Sequence, residues 1–318
     1  MQMQSLGMRL ALVVIIALPL VSCQYLDQLQ AVKVFKDANT FYQRGDYEAA
    51  AVMYEDVIAN DPDLTTAYFY LANSYDNQYL PARRGEPDND RNLEMAIDNY
   101  ITAADRETSA EMRELAMQYL VAAYGPDKMN DPASSEPVLQ VMIQGDPENP
   151  DNYIALAKLY EDSGLYDDAE RVLLQVRDLR DDDPNVYLQL AGFYNRNEDF
   201  DRTIAALRQR AVIEPDNPEA FYTIATYFWE KAFRDFRLSD EQEEEYVMLG
   251  LTEVDKALEL NNDYMEALTY KNILMRMQAN LTEDIPQREA LLAEADRLRD
   301  RAEELREQQT AGTAGTVG

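Results

Sequence analysis

The chain has 318 residues, with 60 Asp and Glu against 29 Lys and Arg, for a net charge of −31. A body this acidic repels phosphate backbones, which argues against nucleic-acid binding, and on a helical protein such charge serves solubility. Histidine is absent and cysteine occurs once, so Ser-His-Asp and Cys-His catalysis and the usual zinc sites are ruled out. Only carboxylate chemistry is left open, and no cofactor or metal is expected.

The first element is a short polar start with Arg9 as its only charge, followed by an apolar run from Leu10 to Val21. Twelve residues of helix rise only ~18 Å, too little for a bilayer core of about 30 Å. The pattern reads as a secretory signal over residues 1–22, with Pro19 ending the helix before the cleavage site. The residues Leu20, Val21, Ser22 and Cys23 resemble the bacterial lipobox. That resemblance implies cleavage before Cys23, diacylglycerol on its thiol and firm attachment to a membrane. Residues 23–30 then form a lipid-anchored linker, and Gln24 after the cysteine points to the outer membrane, facing the periplasm. With its one thiol lipidated, the mature chain has no disulfide to form.

From residue 31 onward the chain is self-similar. GDYEAAAVMYEDVIANDP (45–62) and GLYDDAERVLLQV (164–176) share Gly, one residue, Tyr, two residues, Ala. Small residues recur at Ala38, Ala72, Ala116, Ala157, Ala191 and Ala225. Aromatics stand three residues later, at Phe41, Tyr75, Tyr119, Tyr160, Tyr194 and Phe228. Gly45 and Gly164 suit a left-handed helix end, and Pro62 and Pro215 punctuate helix exits. These residues are similar to the tetratricopeptide repeat, a helix–turn–helix unit of about 34 residues.

The resemblance implies an all-α fold: a right-handed α-solenoid over residues 31–308 with about seven repeats, starting near 31, 65, 109, 150, 184, 218 and 265. The second, third and sixth repeats carry insertions at 76–95, 124–134 and 232–249. Ser239 with Gln242 reads as a capping box, making the helix that follows long. The last helix, about 287–308, has apolar residues on one stripe and charge elsewhere, as a terminal cap needs. Residues 309–318 read as a disordered tail.

In the tetratricopeptide family the first helix of each repeat lines a concave groove. The resemblance therefore implies a partner-binding set of Asn39, Tyr42, Phe69, Asn73, Asn77, Asn195, Tyr222 and Trp229. Phe35, Arg113, Met117, Ile154, Lys158 and Leu188 share the register. Amides can bind a peptide backbone, and aromatics supply anchoring area. Phe35 stands where carboxylate-clamping repeats place a cation, so internal segments are expected as ligands in place of chain ends. Arg83 and Arg84 form a small basic spot on a loop, and the acidic turns at 86–90 and 181–185 read as helix caps. The functional expectation is a non-enzymatic scaffold that binds other envelope proteins or peptide segments. The alternative is a carboxylate-dependent cell-wall glycan enzyme with a helical body, which needs two acids about 5–10 Å apart, one with a raised pKa.

Overall fold

The computed structural model describes residues 26–314. The expected signal segment, the lipidation site Cys23 and residues 315–318 lie outside the described residues. Fourteen α-helices alternate with short turns, and no strand occurs among the described residues. Twelve of them pair into six hairpins, three in each of the chain's two halves. These are α1 (26–43) with α2 (Tyr47–Asn60), α3 (Thr66–Asp76) with α4 (Pro87–Arg106), and α5 (Ala110–Ala123) with α6 (Pro132–Gly145). Next come α7 (Pro150–Asp162) and α8 (Tyr166–Leu179), which follow one another in the chain, and the hairpin of α9 (Pro184–Arg196) with α10 (Phe200–Ile213). Last are α11 (Pro218–Arg234) with α12 (Asp240–Leu260), and α13 (Met265–Leu281) with α14 (Ile285–Ala314).

The small residues explain the close pairing. Ala38, Ala72, Ala116, Ala157, Ala191 and Ala225 are all buried, so neighbouring helices pack directly on the backbone there. Helix starts are locally coded. Asp46, Asp131, Asp183 and Asp199 each accept an amide hydrogen bond from the first turn of the helix they precede. Pro132, Pro150, Pro184 and Pro218 fill first-turn positions that need no donor. The capping box forms as expected: Ser239 N donates to Gln242 Oε1 at 3.0 Å and Gln242 N donates to Ser239 Oγ at 3.3 Å. It opens α12, which is 21 residues long.

Three first helices end in the same hydrogen-bonded turn. Gly45 and Gly164 adopt φ of +77° and +75°, and the next amide returns to Phe41 O or Tyr160 O at 3.0 and 2.8 Å. After α9 this place is taken by Glu198, at φ +59°, with Asp199 N donating to Tyr194 O at 2.9 Å. A side chain with a Cβ is strained there. Glu198→Gly should therefore stabilise the protein by about 0.5–1 kcal/mol, strain relief exceeding the added chain entropy. Gly45→Ala should cost about 1 kcal/mol, through the backbone alone, since an added Cβ would meet nothing within 4 Å. Urea midpoints of the two variants should move in opposite directions.

The chain divides into two compact units, residues 1–169 and 170–318, with the division inside α8. In the first, Ala38, Ala50, Tyr54 and Leu71 form one core cluster, and Phe69, Leu93, Tyr100, Ala116 and Leu120 belong to a second. In the second, Ala225, Val247, Val254, Ala267 and Leu274 join α11, α12 and α13. The final helix is longer than the pattern indicates, continuing from Ile285 to Ala314.

Candidate functional site

In the first compact unit, α1 and α3 bring five of the expected groove residues to neighbouring positions, and most of them turn inward. Tyr42 Oη donates to Asn73 Oδ1 at 2.6 Å, and Asn73 Nδ2 donates to Tyr100 Oη at 3.1 Å. Tyr100 Oη donates to Asp76 Oδ2 at 3.3 Å, and Lys128 Nζ meets Asp76 Oδ1 at 2.5 Å. Asn77 Nδ2 adds 2.8 Å bonds to the backbone and side-chain oxygens of Asn73. Tyr54 Oη donates to Asn39 Oδ1 at 2.6 Å. Burial, with Tyr47, Tyr119 and Tyr70 nearby, pushes the Tyr42 phenol up to about 12, which keeps it a donor.

Two assignments are corrected. Asn73 is 3% exposed and its amide is already spoken for on both sides. Phe69 is 5% exposed, with edge-on contacts to Tyr70 and Tyr119 at 5.5 and 5.4 Å. Tyr100 and Tyr119, from α4 and α5, close over α3 and turn these positions into core. Asn77 stays exposed, while Asn39 and Tyr42 are half-buried. Elsewhere in the register, Arg113 and Lys158 are exposed, with Lys158 paired to Asp162 at 2.6 Å. Met117, Ile154 and Leu188 are half-buried, and Phe35 packs on Tyr54 and Tyr70.

The basic loop is likewise engaged. Arg83 pairs with Glu86 at 2.5 Å. The Arg84 guanidinium donates to the carbonyls of Pro126 and Lys128. The insertions of the second and third hairpins are thereby tied to each other. Asn89 is buried and holds the first of them in place, accepting from Leu80 N at 2.8 Å and donating to Leu80 O at 3.1 Å.

In the second compact unit the expected Tyr222 and Trp229 do come together, through a tyrosine the sequence reading missed. Tyr270 of α13 lies edge-on to Tyr222 at 5.4 Å and to Trp229 at 5.2 Å. Phe233 stacks on Trp229 at 5.5 Å with planes 10° apart, and Tyr264 meets Tyr222 at 5.3 Å. The result is an aromatic row, Phe233–Trp229–Tyr270–Tyr222–Tyr264, across α11 and the start of α13. Phe233 is exposed and the other four are half-buried. Burial and the neighbouring Tyr270 push the Tyr222 phenol up to about 12. The Trp229 indole N–H is buried with no acceptor. A cavity of about 260 Å³ opens beside the row, lined by Tyr222, Met265, Tyr270, Arg299, Ala302 and Arg306 among others.

Asn195 is apart from that row. It lines a shallower depression of about 610 Å³ with Phe200, Tyr227, Lys231 and Phe236. Phe236 is 94% exposed. Its loop is pinned by Asp235, which accepts from Arg237 Nε at 2.7 Å and Lys231 Nζ at 2.9 Å, and these cations hold the Asp235 carboxyl far below the usual range.

With the geometry in hand, comparison with known proteins identifies the architecture. Residues 128–192 match the tetratricopeptide repeat family model. No curated protein sequence matches the chain. Among solved structures, the C-terminal part of a TPR repeat-containing protein from Cytophaga hutchinsonii is similar over 85% of this chain and 98% of its own, at 13% identity and a TM-score of 0.54. A tetratricopeptide repeat protein from Parabacteroides merdae aligns over 83% and 98%, at 12% identity and a TM-score of 0.44. YrrB, described as a TPR protein with an unusual peptide-binding site, aligns over 61% and 91%, at 16% identity and a TM-score of 0.41. The fold is an all-α tetratricopeptide-repeat solenoid, a class that ordinarily serves protein–protein interaction. Segment 128–192 carries the repeat signature itself.

Proposed function

We propose that this chain is a non-catalytic scaffold of the bacterial cell envelope, tethered by lipidated Cys23 and facing the periplasm from the outer membrane. It binds segments of other envelope proteins along the aromatic row of α11 and α13. The observation that carries this reading is that row: five aromatic rings in sequence, open at Phe233 and flanked by a cavity. Trp and Tyr anchors beside a pocket are what interface hot spots consist of. Charge supports an interaction role without nucleic acid, since the net charge is −31.

Proton affinities give the glycan-enzyme alternative no support. Glu86, Glu107, Asp131, Asp199, Asp235, Glu241 and Asp296 are displaced clearly, and each is displaced downward. A general acid needs the opposite.

Trp229 is the only tryptophan, so its emission reports directly on the row. Crosslinking capture from envelope membranes should retrieve a partner whose purified segment shifts that emission. Trp229→Ala or Tyr270→Ala should weaken binding more than about tenfold, as hot-spot truncation does. Equal capture by a folded Trp229→Ala variant would sink this assignment. Mass spectrometry of the Cys23 peptide tests the anchor separately.

A further inference from the structure

Helix α1 has two unlike faces. Ala31 and Ala38 are buried in the first hairpin's cores, with Val34 and Phe35 packed beside them. The opposite face carries Leu26, Leu29 and Val32, which are 63%, 53% and 43% exposed, together with exposed Lys33 and Lys36. At 100° per residue these five side chains fall within an arc of about 120°. Asp27 lies outside that arc, and Asp37, next to Lys36 in the chain, lies about 20° beyond its edge and about 16 Å along the axis from Leu26. This face is thus three aliphatic residues at the helix start followed by two cations, on a chain whose net charge is −31.

We infer that this face of α1 lies on the bilayer leaflet that holds the acyl chains of Cys23. The inference rests on the anchor reading above. Only two residues lie between Cys23 and Leu26, so their Cα atoms are at most about 11 Å apart. A lipid on Cys23 therefore holds the first turn of α1 at headgroup level. Leu26, Leu29 and Val32 then reach the acyl boundary, and Lys33 and Lys36 reach the phosphates, with their stems lying along the aliphatic stripe. Three aliphatic side chains would bind a membrane weakly by themselves. Tethering makes the contact intramolecular, so a weak face is enough. The acidity of the remaining chain does not oppose it locally, because the charges on α1 itself balance: Asp27 and Asp37 against Lys33 and Lys36.

The test uses full-length acylated protein reconstituted into vesicles of phosphatidylethanolamine with a minority of phosphatidylglycerol. An environment-sensitive fluorophore is attached through Leu29→Cys, and in a second sample through Glu48→Cys, an exposed position on α2. Acylation consumes the Cys23 thiol, so only the introduced thiol reacts. The label at position 29 should emit further to the blue than the one at 48. It should be quenched by nitroxide on lipid chains and be several-fold less sensitive to aqueous iodide. Equal iodide quenching at both positions, in protein that floats with the vesicles, would show the face open to water and overturn the inference. Shielding from iodide without quenching by lipid nitroxide would also overturn it, by showing that protein covers the face. Protein that stays aqueous and takes label at Cys23 before any substitution would remove the anchor itself, a distinct failure that takes the inference with it.

Discussion

Tyr100→Ala is expected to destabilise the first compact unit by about 3–5 kcal/mol, the range for removing a large buried aromatic. Tyr100 is fully buried between Phe69 and Tyr119, with ring separations of 6.0 and 5.7 Å. Its hydroxyl also sits between Asn73 and Asp76. Burial and the Asp76 carboxylate push its phenol upward, so it remains a neutral donor through the physiological range. Tyr100→Phe separates the two contributions. It keeps the ring and should cost about 1–2 kcal/mol, because Asn73 and Asp76 each lose one hydrogen bond. Urea unfolding of both variants gives the comparison. A Phe variant as damaged as the Ala variant would mean that the network, and not the packing, holds this region.

Lys128→Met should cost about 2–3 kcal/mol. The Asp76 side chain is 7% exposed and Lys128 is its cation at 2.5 Å. Removing one member of a buried pair leaves the other charge uncompensated, at a typical cost of about 3–5 kcal/mol. The Lys128 side chain is 26% exposed, so water already screens the pair and the lower figure applies. Asp76→Asn combined with Lys128→Met should recover most of the loss. A double variant no better than the single one would show that Lys128 acts by holding its loop, whose carbonyl Arg84 also grips.

The parts of this molecule legible in the sequence are those written in single residues. Each alanine of the six-member series marks a close helix approach, and each is buried. Gly45 and Gly164 announce left-handed turns because glycine adopts them at least cost. Ser239 and Gln242 announce a helix start through bonds three residues apart. The site was less legible, because exposure on a first helix depends on distant neighbours. Asn73 is claimed by Tyr100, 27 residues away, and nothing local to Asn73 encodes that. Tyr264 and Tyr270 escaped notice because the seventh repeat departs furthest from the pattern, so its register could not be read. Glu198 was also hidden: it occupies a glycine's place without being glycine, and only its alignment with Gly45 and Gly164 betrays it.

The ties between the second and third hairpins have a consequence for how the molecule comes apart. In a linear array of repeats each interface can open with some independence, and the weakest decides where the array breaks. Between α3–α4 and α5–α6, the ordinary apolar contact is reinforced by Lys128 on Asp76 and by Arg84 on two carbonyls. Thr65 and Thr66 also donate to the buried Glu107 carboxylate at 3.0 and 3.1 Å, joining the start of α3 to the α4–α5 turn. These two hairpins should therefore open as one block, and late, and fraying that starts from either end of the first compact unit should stop when it reaches them.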